Sequence, residues 1–230
     1  MNPHNPDAIA RTRVILEDLE AVRENLLALS DDIWSSIDHN DSAAMEAGVE
    51  FKRSYNSKVS AFDAVAGELS LLIQQYTSVR LDSTEQSGDL DAVNNERIIT
   101  ELDRETPHGL DEDFTFKRPF GFVFEGKATV GVTTWQRLYQ LICEGLVTKD
   151  EQRMRSLFDH PDFVSSRGNR TVEFDQQKLR KSLKIADGLF IESNLSANSI
   201  RDVISRLLKH YDIPIESIKI YLRQDRNAPQ

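Results

Sequence analysis

Two spacings of hydrophobic residues divide the chain. From Thr12 to Ile37 apolar side chains recur every seven residues in two rows offset by four: Leu19, Leu26 and Ile33 in one, Ile15, Val22 and Leu29 in the other. That is an a/d seam over about three heptads, widened by Trp34 and Ile37 and ended by Asp38-His39-Asn40. Asp41 or Ser42 caps a second helix, with rows Val59, Ala66, Ile73 and Tyr55, Phe62, Leu69, Tyr76. Running from about Ser42 to Arg80, it would be about 55 Å long at 1.5 Å per residue. The two helices read as an antiparallel, coiled-coil-like hairpin over residues 11–82. A pair of helices alone leaves much of its seam in water. The pattern therefore predicts self-association through Leu19, Leu26, Ile33, Phe62, Leu69 and Tyr76, although the same face could pack on the rest of the chain.

Beyond the hairpin, residues 81–89 are polar. Asp91 to Glu105 reads as a short third helix carrying Val93, Ile98 and Leu102, broken by Thr106-Pro107-His108-Gly109. With the solvated run Asp111-Glu112-Asp113, this makes residues 83–113 an acidic linker; residues 1–10 and 224–230 read as loose ends. At Phe114 the period changes to two: Phe114, Phe116, Phe120, Phe122 and Phe124 alternate, interrupted by Arg118-Pro119. Glu125-Gly126 is a two-residue turn and Lys127 to Val132 the returning strand. Thr133 and Gln136 fit a capping box for a helix that buries Trp135, Leu138, Tyr139, Ile142 and Leu146, with Cys143 a core thiol. Met154, Leu157 and Phe158 mark a further short helix. Asp187-Gly188 turns into the apolar strand Leu189-Phe190-Ile191. Ile200, Val203, Ile204, Leu207 and Leu208 then follow at helical spacing until Ile213-Pro214 ends the helix. Ile218 to Leu222 is another strand, and strand, helix, strand suggests a crossover on one sheet. The expectation is an α+β protein, a helical hairpin followed by a compact α+β domain over 114–223.

Charge sharpens the division. Residues 1–115 hold 9 Lys+Arg and 24 Asp+Glu and residues 116–230 hold 19 and 14, so a half at −15 precedes a half at +5 within the total of −10. Such an asymmetry points to two modules with different partners. The single cysteine excludes an intrachain disulfide framework and the usual cysteine zinc site. No apolar run approaches the ~18 residues of a membrane span. MNPHNPDAIA lacks the basic-then-apolar order of a signal peptide. The expected compartment is the cytoplasm, with no membrane partner.

The basic half supplies the candidate chemistry. Arg167 and Arg170 flank a Gly168-Asn169 turn, and Lys178, Arg180 and Lys181 follow. Forked guanidinium donors around a tight turn suit a phosphate backbone; a hairpin tip with solvated arginines has the same sequence. Ser193, Asn194, Ser196, Asn198 and Ser199 crowd the start of the last helix, with Arg201 one turn in. They read either as an anion site at a helix N-terminus or as ordinary caps. No phosphate-binding glycine loop, GxGxxG, HExxH or GxSxG is present, and the five histidines lack metal-ligand spacing. No catalytic residue, cofactor or metal is implied. Asp187 and Glu192 beside Lys184 approach a metal-dependent nuclease pattern without its acid-x-Lys element, and Arg206 with His210 is a generic pair.

Arg118-Pro119 with its hairpin, Thr134-Trp135 opening a helix through Leu146, and Glu192 to Ile200 before the last helix carry a resemblance. Residues 116–223 resemble a small domain at the C-termini of bacterial restriction-like and phage-defence-associated proteins. It covers about half the chain, implies a bacterial or phage setting with nucleic-acid-linked work, and transfers no catalytic residue. The expected function is a non-enzymatic assembly module of a bacterial defence or nucleic-acid-processing system. The hairpin would make a homo-oligomer. Arg167, Arg170, Lys178, Arg180, Lys181, Asn194, Ser196, Asn198 and Arg201 would contact phosphates of a nucleic acid. The alternatives are an adaptor docking on an acidic surface of a protein partner, such as an ATPase or nuclease subunit, and the metal-dependent nuclease.

Overall fold

The computed structural model describes residues 6–79 and 92–226. The protein is α+β, and the chain forms two compact units, Met1–Ser83 and Thr84–Gln230.

The first unit is a hairpin of α1 (Pro6–Ser35) and α2 (Ser42–Thr77). Helix α1 starts at Pro6, inside the stretch expected to be loose: proline's fixed φ suits a first turn, where its missing N–H has no intrahelical use. Asp41 caps α2, its Oδ1 accepting from the Ala43 and Ala44 N–H groups at 2.8 and 3.3 Å. The antiparallel pairing is fixed by polar contacts. Lys52 Nζ donates to the Ser30 carbonyl and to Asp31, at 2.9 and 3.2 Å. Tyr55 Oη donates to the Leu26 carbonyl at 2.9 Å, and Arg23 faces Asp63 at 3.6 Å. Gly48 lies against the Ile37 side chain with no room for a Cβ.

These contacts correct the seam. The α1 face toward α2 carries Arg23, Leu26 and Ser30, and Ile37, just past the helix, meets Gly48, so the row beside Leu19, Leu26 and Ile33 is Leu16, Arg23 and Ser30, continued by Ile37. The expected second row, Ile15, Val22 and Leu29, is exposed. Polar Arg23 and Ser30 concealed the true register, because in this seam they are held by hydrogen bonds and an ion pair rather than by apolar contact. Of the six residues expected to join copies, Leu19, Leu26, Ile33 and Phe62 are half-buried, on or beside this seam, whereas Leu69 and Tyr76 are exposed.

The second unit has two antiparallel sheets. In the first, β1 (Pro119–Phe124) lies between β2 (Lys127–Val130) and β6 (Ile218–Leu222). Glu125 and Gly126 both have positive φ, 46° and 77°, the two-residue turn whose twist matches a hairpin. The free edge of β6 is met by His108, which exchanges two backbone bonds with Ile220 at 2.8 and 2.9 Å. Helix α3 (Ala92–Leu102) lies on the outer face of this sheet. Ile98 and Leu102 pack with Val123, Ala128 and Tyr221, and the Asn95 side chain bonds the Gly126 carbonyl and the Ala128 N–H. Helix α3 is therefore part of this domain and not of a linker. Phe114 is fully buried against Trp135, ring centroids 4.6 Å apart, so the domain begins well before Phe114.

The second sheet has β5 (Leu189–Glu192) between β3 (Val172–Glu173) and β4 (Ser182–Ala186). Helix α4 (Trp135–Lys149) touches both sheets. Its cap is Thr134, one residue later than expected, with Oγ1 accepting from the Arg137 N–H at 3.2 Å. Leu138, Tyr139, Ile142, Cys143 and Leu146 are fully buried, and burial raises the Cys143 thiol pKa far above its ordinary value. A short helix α5 (Glu151–Ser156) places Met154 in the same core. Helix α6 (Ala197–His210) buries the five apolar positions expected of it. It does not cross over within one sheet: β5 and β6 belong to different sheets. Both edges of β5 are occupied by β3 and β4, so β6 pairs with β1 instead.

At Gly121 an added Cβ would lie 2.7 Å from the Thr129 carbonyl oxygen and 3.3 Å from Val130 Cα. Gly121→Val should destabilise the protein by about 2–3 kcal/mol in urea unfolding. Gly145→Ala has only Phe124 near it, at 3.8 Å, and should stabilise α4 by about 0.5–1 kcal/mol.

Candidate polyanion groove

An open groove of about 230 Å³ lies where the 163–171 hairpin meets the end of β5 and the flank of α6. Phe163, Leu195 and Val203 give it apolar walls; Arg170, Arg180, Arg206, Glu192 and Asn194 bring polar groups to it. The hairpin is short. Val164 bridges Arg170, Ser165 N–H donates to the Asn169 carbonyl at 2.8 Å, and Gly168 sits at φ 79°, where a side chain would be strained.

Glu192 organises the site. One carboxylate oxygen accepts from the Arg180 N–H at 2.9 Å, and the other from the Lys181 and Asn194 N–H groups at 3.2 and 2.7 Å. Three backbone donors on one carboxylate tie the segment before β4 to the approach to α6, and Arg180 and Asn194 both line the groove. With Asp187 paired to Lys184 at 2.6 Å, both carboxylates of the nuclease pattern are engaged elsewhere. Among the described residues, no group of three or more His, Cys, Asp or Glu is placed to hold a metal ion.

The basic residues separate into distinct roles. Arg170 is a structural clamp: its guanidinium lies 4.1 Å from the Phe158 ring, Nε donates to the Phe158 carbonyl at 2.9 Å, and its Nη atoms reach Asp159 and the buried Glu173 at 3.1 and 3.5 Å. Arg206, which the basic cluster in the sequence does not include, lies across α6 toward the hairpin. It donates to the Asp162 carbonyl and stands 5.7 Å from the Phe163 ring. The Arg180 side chain is exposed and has no hydrogen-bond or ion-pair partner among the described residues, and the same holds for Arg167 and Lys178. Arg167 sits at the hairpin tip beside Gly168, and Lys178 ends a single 3₁₀ turn. Lys181 is half-buried, its carbonyl accepting from both Ser193 N–H and Oγ.

The start of α6 is capped and occupied. Ser196 is the N-cap, its Oγ accepting from the Ser199 N–H at 3.3 Å. Asn198 accepts the Phe114 N–H at 2.8 Å and donates to Asp113 and Thr115 at 2.6 and 2.9 Å. Arg201 Nη1 donates to the Glu112 carbonyl at 2.6 Å and Nη2 pairs with Asp202 at 2.7 Å. The Thr115 hydroxyl, the Asn198 amide and the Thr115 N–H hold the Asp113 carboxyl at about 2. Asp111 and Asp113 remain exposed, as a solvated run would be, but Asn198 and Arg201 tie the 112–115 segment to α6; these two and the cap Ser196 lie away from the groove lining. The signal for the segment's turn is the Asp113-x-Thr115 spacing, in which the carboxylate takes its own chain's N–H two residues on.

Beneath Arg206, the His210 ring stands 4.9 Å from His160 and 6.0 Å from Phe163, with Nε2 buried and without a partner. Burial, then His160 and Arg153, lower its pKa below the ordinary value; Asp212 and Asp162 act the other way. The folded state therefore disfavours the imidazolium. As pH falls below about 6.5 the unfolded chain gains a proton that the folded chain resists. Stability should drop between neutral pH and the lower folded pKa, and thermal melts of His210→Phe should show a weaker loss from pH 7.5 to 5.5. In the groove, Arg170→Ala should cost about 2–3 kcal/mol, leaving Glu173 unpaired, while Arg180→Ala should stay within about 0.5 kcal/mol of wild type; urea unfolding of both separates clamp from free guanidinium. No family model, curated protein or solved structure matches the chain.

Proposed function

We propose that this protein is a non-enzymatic assembly module that holds copies together through its helical hairpin and contacts a polyanion, a nucleic-acid backbone, through its basic C-terminal domain. The observation that carries this reading is Arg180, an exposed guanidinium without a partner among the described residues, on the same groove as Arg206 and beside Asn194. Arg167 and Lys178 extend the free positive charge beyond the groove. Exposed cations without carboxylate partners favour phosphates, which displace no existing ion pair. The residues at the start of α6 and Arg170 are left out of the contact set, because their hydrogen bonds are internal. The setting that fits the resemblance of residues 116–223 is a bacterial defence or nucleic-acid-processing system in the cytoplasm. Among the described residues, no helix is long and apolar enough to cross a membrane.

A second reading rests on the groove's apolar side. Phe163, Leu195 and Val203 beside two arginines also suit an acidic protein segment that places a hydrophobic side chain between carboxylates. It predicts a partner that co-purifies and no affinity for nucleic acid.

The test is fluorescence anisotropy of the full-length protein with labelled DNA and RNA over a salt series. Affinity should fall steeply with salt, and Arg167→Ala and Arg180→Ala should each reduce the slope of log K against log salt by about one. Absence of binding at low salt from folded protein, or slopes unchanged in both variants, contradicts the reading.

A further inference from the structure

The helical hairpin carries an apolar surface that its own contact does not use. On α1, Ile15, Val22 and Leu29 are 54, 43 and 38 % exposed; on α2, Val65, Leu69, Leu72 and Tyr76 are 64, 43, 63 and 76 % exposed. At 3.6 residues per turn, both rows lie roughly 70–100° round their helices from the contact line, in the same rotational sense along each chain. Because α2 runs antiparallel to α1, equal senses of rotation bring the rows to one side of the hairpin. The contacts of Tyr55 with Leu26 and Asp63 with Arg23 set Ile15 about level with Leu69, so the rows lie side by side around Ile15, Val65 and Leu69 and continue singly toward opposite ends, as one long stripe along the hairpin.

We infer that this outer face, and not the inner seam, joins two copies of the chain, stacked hairpin on hairpin as a four-helix bundle. The inference rests on the reading that the hairpin assembles copies, and it names the surface. Area supports a second copy. Each of the seven side chains leaves on the order of 100 Å² exposed, so the face offers roughly 700 Å², close to the ~800 Å² share of one partner in a stable interface of standard size. A contiguous apolar patch of that extent is at or above the largest on typical monomers. Shape supports it as well: a straight stripe along a helix pair is self-complementary under a two-fold axis, and two such pairs enclose a bundle core without any further segment. Charge agrees. Residues 6–79 contain 13 Asp+Glu against 6 Lys+Arg, yet the α2 row from Phe51 to Tyr76 intersperses only Ser54 and Lys58 between its apolar positions and Ala61. Asp18 and Glu68, three residues after Ile15 and Val65, flank the rows at helical spacing and give the apolar stripe a charged rim of the kind interfaces carry.

Sedimentation equilibrium of the full-length protein tests this. The wild type should have twice the 26.2 kDa mass of the chain. Leu69→Glu with Leu72→Glu should raise the dimer dissociation constant by more than about 100-fold, with helical circular dichroism unchanged because both positions are solvent-exposed. Leu71→Glu is the control: Leu71 is 61 % exposed but lies on the other side of α2, and the variant should remain a dimer. A wild type that is monomeric at all concentrations overturns the assembly reading along with the inference. An oligomer that persists in the double variant, or is lost equally in the control, overturns this face alone.

Discussion

The C-terminal domain depends on one helix lying against two small sheets. Three strands with one apolar face are near the lower limit of what stands alone, and here each sheet has only three, one of them a strand of two residues. Helix α4 contacts β1 in one sheet and β4 in the other, and its inward positions from Trp135 to Leu146 are almost wholly removed from water. A helix buried to that extent must satisfy its polar groups internally. Trp135 Nε1 donates to the Lys117 carbonyl at 2.8 Å and the buried Gln136 amide donates to the Ser193 carbonyl at 2.8 Å. The second of these bonds ties the shared core to the segment that enters α6, so packing and the placement of the groove have a common origin.

Glu192 converts that arrangement into a site. Its carboxylate gathers the N–H groups of Arg180 and Lys181, 12 and 11 residues before it, and of Asn194, two residues after it. Because the negative charge is met by backbone dipoles, the guanidinium of Arg180 is not drawn into a local ion pair. Arg170 shows the contrast. Phe158, Asp159 and Glu173 surround it, so the same residue type at a neighbouring position becomes part of the scaffold. Whether an arginine is available to a ligand is decided here by what the chain places within about 4 Å of it, which sequence spacing does not express.

Helical periods, the Glu125-Gly126 turn, the apolar run of α6 and the division into helical and α+β parts were legible in the sequence, because each is written in local spacing. The register of the α1–α2 seam was not. Arg23 and Ser30 occupy seam positions as polar residues, and the eye follows Ile15, Val22 and Leu29, which lie outside it. The docking of Asp113 on Asn198 joins residues 85 apart, and the separation of β5 and β6 into two sheets follows from which strand edges are already occupied. Both are long-range outcomes: the Asp113-x-Thr115 spacing marks a local turn but not the helix it docks on. Of the groove, Arg170, Arg180 and Asn194 were in the expected set, although Arg170 turned out to be a clamp, whereas Arg206 was seen only as a possible partner of His210.

The central claim is that a polyanion lies on the groove at Arg180. Hydrogen exchange of the full-length protein with and without a saturating oligonucleotide at low salt tests it most directly. The account predicts added protection at residues 165–170, 178–181 and 194–195, with the 112–115 dock unchanged. Protection confined to α1 and α2, or to the 112–115 dock, would contradict it.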